Sequence, residues 1–266
     1  MPTFDALFLP DDDGYLPTPA THGPWGPGLL HGGPVSALCA LALEDASDPE
    51  LTSARLSVDM IRPVTEHRLT ISTEVVKTGR RLQLLEAAMV CNGKLAARAS
   101  LLRLRPRPLD LPANADDGRT PPPEAPEELP ETKPPVELGE QPFFLGSGIE
   151  VRAPGGSAFE SGWGWFRLKI PIVPGREPSP MQRAAAAADF GNGVSGYGGR
   201  FPHDYRFLNA DLSVYLFRPP AGEWIRLQAL SWWDADGVGL AKSELSDRDG
   251  LVGTGQQALA LEGPST

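Results

Sequence analysis

The sequence predicts an α+β fold built from one unit used twice, each a buried helix followed by a run of antiparallel strands. Three observations carry this. An apolar helical run is followed by alternating segments joined by turn residues, not by further helices. A strand motif, Leu56-Ser57-Val58 with Arg62-Pro63, recurs 156 positions later as Leu212-Ser213-Val214 with Arg218-Pro219. Between the copies lies a stretch whose composition opposes folding. Two such units suggest two sheets meeting side by side, as in a fused dimer.

Residues 1–27 form an entry segment, with a short strand expected at Phe4–Leu9 and a turn at Asp11–Gly14. The glycine-rich stretch Gly28–Pro34 then opens onto Val35–Ala46, a helix apolar on nearly every side and so one wrapped by protein. Pro34 fits its first turn. Gly32 and Gly33 allow close approach, and the free N–H groups of that turn attract a carbonyl oxygen or an anion. Strands are expected at Ala54–Met60, Arg68–Lys77, Leu82–Val90 and Leu95–Leu104, the last two joined by Asn92-Gly93, a strong hairpin signal.

Ten of the 29 prolines lie between Pro106 and Pro135, and Asp110–Glu140 carries nine acidic and two basic residues. Such a segment buries too little apolar surface to fold, so 106–140 reads as an exposed linker between domains at 1–105 and 141–266. After it, strands are expected at Gly148–Ala153 and Gly162–Ile170, an alanine-rich helix at Met181–Asp189, then strands at Ala210–Phe217, Trp224–Trp232, Gly239–Ser246 and Leu251–Leu261. Asn92-Gly93 has its counterpart in Asp249-Gly250 at nearly the same spacing as the strand motif.

Net charge is −10, which disfavours nucleic acid and anionic membranes as partners. Cys39 and Cys91 fall in apolar contexts and read as reduced core residues, suiting the cytoplasm. Neither they nor the four scattered histidines make a metal site, and the N-terminus has no signal-peptide pattern. No apolar run reaches membrane length.

Motifs in fixed order span most of the chain outside the linker. The first half has the glycine-rich helix entry, Leu56–Pro63, Thr78-Gly79-Arg80-Arg81 and Asn92-Gly93. The second has Glu150-Val151-Arg152, Trp165-Phe166-Arg167-Leu168, Ala187-Ala188-Asp189, Phe217-Arg218-Pro219, Gly222-Glu223-Trp224 and Asp249-Gly250-Leu251-Val252 with Gln257. In this order they resemble the acyl-CoA thioesterase II type and its thioesterase-like relatives. The resemblance implies a tandem (double) hotdog fold, two antiparallel sheets each wrapping a long helix, and acyl-CoA thioester hydrolysis without a cofactor. It also makes a homo-oligomer the expected assembly.

There is no G-x-S-x-G elbow for a serine acyl-enzyme. Relatives position water with an acid, a hydroxyl and a glutamine. The resemblance assigns the acid to Asp189, whose apolar setting would suit it to take a proton from water. It assigns the glutamine to Gln257, with Gln256 on the opposite face. The hydroxyl position falls at Trp232, with Ser231 one residue before it. That departure leaves two alternatives: water held by Asp189 and Gln257 alone, or an impaired acyl-binding module. Backbone N–H groups at Gly32-Gly33 are candidates for the oxyanion, and His31 for the lining of the site. Arg80 and Arg81, with Lys77, are the candidate phosphate contacts. A hydratase dyad would need an acid close to His31, and none lies within five residues.

Overall fold

A computed structural model describes residues 3–133, 141–197 and 205–263. The first half holds β1 (Phe8–Asp11), β2 (Gly14–Pro17), helix α1 (Gly32–Asp45), β3 (Thr52–Met60), β4 (Leu69–Thr78), β5 (Leu82–Cys91) and β6 (Lys94–Leu104). The second holds β7 (Ile149–Arg152), the single turn α2 (Ala158–Ser161), β8 (Trp163–Leu168), α3 (Pro180–Ala188), β9 (Arg206–Asn209), β10 (Asp211–Leu216), β11 (Ile225–Trp233), β12 (Val238–Asp247) and β13 (Gly250–Glu262).

The described strands form one antiparallel sheet, ordered β1-β2-β4-β5-β6-β3-β10-β13-β12-β11-β8-β7, with β9 paired to β13. The expectation of two sheets is therefore corrected. The two runs join edge to edge through β3 and β10, so neither central strand is left with an open edge. The junction carries the repeated motif. Ser57 pairs with Ser213, Leu56 with Val214 and Val58 with Leu212, and the two serine hydroxyls lie 3.1 Å apart. From that pair the order runs outward through β6, β5 and β4 on one side and through β13, β12 and β11 on the other.

α1 packs against α3 and against β3, β4, β5 and β6, which explains why it is apolar all round. Leu38, Leu41 and Leu43 are fully buried. α3 presents Ala184–Ala188, all buried, so the two backbones come close. A Cβ at Gly33 would stand 2.7 Å from the Ala186 carbonyl oxygen. The helices run antiparallel. His31, capping the start of α1, meets Asp189 at the end of α3. At the opposite end Glu44 Oε2 accepts from Ser179 Oγ at 2.6 Å and Gln182 Nε2 at 2.8 Å, the two residues of the α3 capping box.

The entry strand lies at Phe8–Asp11, later than expected. Ahead of it Leu7 N donates to Pro171 O, which ties the start of the chain to the second half. The described part of the proline-rich stretch is largely exposed, with one 3-10 turn at Pro126–Glu128, and it docks on the second half. Trp165 Nε1 donates to Glu124 O at 3.0 Å, Leu251 N to Gly118 O at 2.9 Å and Thr132 N to Val151 O at 2.7 Å. Its remaining residues, 134–140, lie outside the described residues.

Candidate active site

The junction of the α1 start with the α3 end is where the sequence-derived candidates meet. His31 is extended (φ −69°, ψ 140°) and caps α1, its Nδ1 facing the Gly33 N–H at 3.1 Å. The helix therefore starts at Gly32 and not at Val35. Gly32 is required by space: a Cβ there would stand 2.8 Å from both carboxylate oxygens of Asp189 and from Met60 Cε. Asp189 follows the last residue of α3 and is 4% exposed.

The Asp189 carboxylate is not in apolar surroundings. Oδ2 lies 2.8 Å from His31 Nδ1. Oδ1 accepts from Gln257 Nε2 and from Asn209 Nδ2, both at 3.1 Å. Gln257 points inward from β13 and is buried, whereas Gln256 is exposed. The Gln257 oxygen accepts the Asn192 N–H at 3.3 Å. A glutamine amide can do both at once, which fixes its orientation and leaves its N–H₂ on the acid.

Ser231 also faces inward, while Trp232, the residue at the strict hydroxyl position, faces out and is 53% exposed. Ser231 does not reach Asp189. Its Oγ donates to Asn192 Oδ1 at 3.1 Å, and Asn192 in turn bonds to Gln257 and not to the acid. Gly191 lets this segment close onto the sheet, since a Cβ there would meet Ser243 Oγ at 2.6 Å and Gln257 Oε1 at 2.9 Å.

Arg80 and Arg81 are not brought to this site. Their backbone oxygens receive Arg105, which is paired with Asp48 and Glu50 beyond the end of α1. That is the far end of a 14-residue helix, about 21 Å from His31. The basic side chain that does line the Asp189 cavity is Arg62.

A cleft of about 150 Å³ descends to Asp189 and Gly32, with Asn209 beside them. Trp25, Leu30, Val35, Met60 and Val64 supply its apolar wall. His31 stacks on Phe190 with centroids 4.5 Å apart, and Phe144 and Trp25 stand at 5.3 Å. Chemically, the arrangement offers a buried carboxylate with fixed amide donors at the floor of an apolar cleft.

Asn209, a partner of the acid, and Asn192, which bridges Ser231 and Gln257, were not anticipated. Both lie in short or irregular segments where no periodicity marks a side chain as inward.

A sequence model of the acyl-CoA thioesterase N-terminal domain matches residues 21–104, and one of the C-terminal domain matches 122–261. Among solved structures, the chain resembles a candidate thioesterase II of Thermobifida fusca (TM-score 0.73, 17% identity, 97% of this chain and 96% of that one). A hot dog fold protein of Alicyclobacillus acidocaldarius is similar (0.71, 20%, 98% of each). So is an acyl-CoA thioesterase II of Mycobacterium marinum (0.64, 17%, 96% and 94%). No curated protein matches the sequence.

Proposed function

The chain belongs to the acyl-CoA thioesterase family, a family of thioester hydrolases, and on that premise we propose that it hydrolyses an acyl-CoA with a water activated by Asp189 and oriented by Gln257. One observation carries the reading: the Asp189 carboxylate lies at the floor of an apolar cleft with the Gln257 amide on Oδ1 at 3.1 Å. Water beside such a carboxylate gives up a proton to it as its oxygen bonds to the thioester carbon. The C–S bond then breaks and the departing thiolate recovers a proton. The amides of Gln257 and Asn209 hold the carboxylate so that one geometry is presented. The hydroxyl of relatives is not needed in this arrangement, since Ser231 acts only through Asn192.

We read the two halves as fused hotdog units, 1–105 and 141–266, whose sheets have merged at β3 and β10. The apolar wall fits the acyl group. An apolar cavity of about 150 Å³ takes up a molecule the size of benzene, so acyl groups of about six carbons fit without rearrangement. Leu230, Trp232 and Leu240 are exposed on the outer sheet face, with Trp232 paired to Leu240, which favours association with a second copy. The two free, buried cysteines suit a reducing compartment.

The test is hydrolysis across a panel of acyl-CoAs from two to sixteen carbons, with the intact chain and Asp189→Asn. We expect turnover concentrated at short and medium chains, and a loss of about 10²-fold or more in kcat for the variant. Binding without turnover by the intact chain would replace this reading with an acyl-binding module.

A further inference from the structure

His31 Nδ1 faces two groups that ask opposite things of it. The Gly33 N–H, at 3.1 Å, needs a lone pair on that nitrogen. Asp189 Oδ2, at 2.8 Å, offers an acceptor to any proton that this nitrogen takes up. An imidazole nitrogen has one in-plane position and holds either a lone pair or a proton. We propose that His31 is a positioning residue for Asp189: it caps α1 while Asp189 is anionic, and its Nδ1 shares the proton that Asp189 removes from the attacking water. This rests on Asp189 being the base and supplies the third member of the set.

The surroundings fit a ring held for this purpose. Phe190, Phe144 and Trp25 surround the imidazole and fix its plane. Phe190 directly follows Asp189, so one short segment sets both the acid and the face of the ring. Among the described residues, Asp189 is the titratable side chain in contact with His31. His22, on the same entry loop, faces Glu66 at 3.5 Å, and Arg62 lies across the cleft. The aromatic neighbours carry no charge. Oδ1 is already saturated by two amides, so Oδ2 is the oxygen on which an added proton has an acceptor waiting.

The step balances. Water loses one proton to Asp189 as its oxygen bonds to the acyl carbon. That proton lies between Oδ2 and Nδ1 and returns to the thiolate when the C–S bond breaks. The Gly33 N–H gives up its acceptor while the proton is held.

The test separates this role from helix capping. Asparagine is a good N-cap and cannot carry the proton. His31→Asn is therefore expected to keep the thermal unfolding midpoint of the intact chain and to lose about 10²-fold in kcat with KM little changed. Unchanged kcat in His31→Asn would overturn the proposal and leave His31 a cap. A second measurement needs no turnover. The His31 Nδ1 nitrogen shift, followed by NMR in the full chain, should change in Asp189→Asn, because Asp189 Oδ2 lies 2.8 Å from that nitrogen. A nitrogen shift indifferent to that substitution would overturn the proposal, whereas failure of the base reading alone shows as absent turnover in the intact chain.

Discussion

Asp189, Gly32 and Gln257 come from three segments, and each is fixed by what it touches. Gly32 has no room for a side chain against the Asp189 oxygens. Gly32→Ala is expected to cost about 1–3 kcal/mol in urea unfolding, as overpacking does, and to lower kcat by displacing the carboxylate. Gln257→Leu should lower kcat while Gln256→Leu leaves it near the intact value, since only the first points at the acid. Burial pushes the Cys39 thiol up to about 12, so a thiol reagent at pH 8 should leave Cys39 unlabelled in the folded chain and label it after denaturation. At this scale Asp189 and Gln257 were legible from motif order. The pairing of His31 with Asp189 was not, because a dyad sought among sequence neighbours of His31 is missed when the partner comes from the other half. Asn209 lies at the end of β9, a four-residue strand too short to give an alternation to read, after a glycine-rich stretch.

The pair of antiparallel helices sets where these residues meet, and its two ends are built alike. A carboxylate at the end of one helix reaches the start of the other: Asp189 to His31, and Glu44 to Ser179 and Gln182. Each carboxylate also receives a donor from a strand, Asn209 on β9 for Asp189 and Ser53 on β3 for Glu44, 156 positions apart. Glu44 accepts three hydrogen bonds, so Glu44→Ala strands their donors. It is expected to cost about 1–3 kcal/mol, read as a lower urea midpoint at unchanged slope. Both helices and the long strands were legible from periodicity and the Asn92-Gly93 turn. The docking of the proline-rich stretch was not, because it is held largely through backbone groups such as Glu124 O and Gly118 O, which composition does not reveal.

At the scale of the whole molecule the two runs of strands join in one sheet, and the repeated motif sits at that junction, at Ser57 and Ser213. That the sheets fuse into one was not legible, since edge pairing depends on register and not on the motif itself. No helix among the described residues is long and apolar enough to cross a membrane. Two buried carboxylates tie down the second half. Burial alone would raise Asp247 and Glu150, but hydrogen bonds outweigh it: from Arg218 and the Ala221 and Asp249 amides for the first, and from Arg167 and Arg152 for the second. Both carboxyls are held below the usual carboxylate range. A folded value below the unfolded one contributes stability above about pH 4 that is lost as pH falls through the folded value. Asp247→Asn should therefore lower stability at pH 7 by about 3 kcal/mol and flatten the acid limb of a stability–pH curve measured by urea unfolding.

The central claim is that Asp189 directs water onto the thioester and does not itself attack it. Single-turnover hydrolysis with enzyme in excess, run in ¹⁸O-labelled water and read by mass spectrometry of both the acid product and the Asp189 peptide, tests it directly. The account predicts label in the released acid and none in Asp189. Label in the Asp189 carboxylate would mean a covalent acyl-aspartyl intermediate and would contradict it.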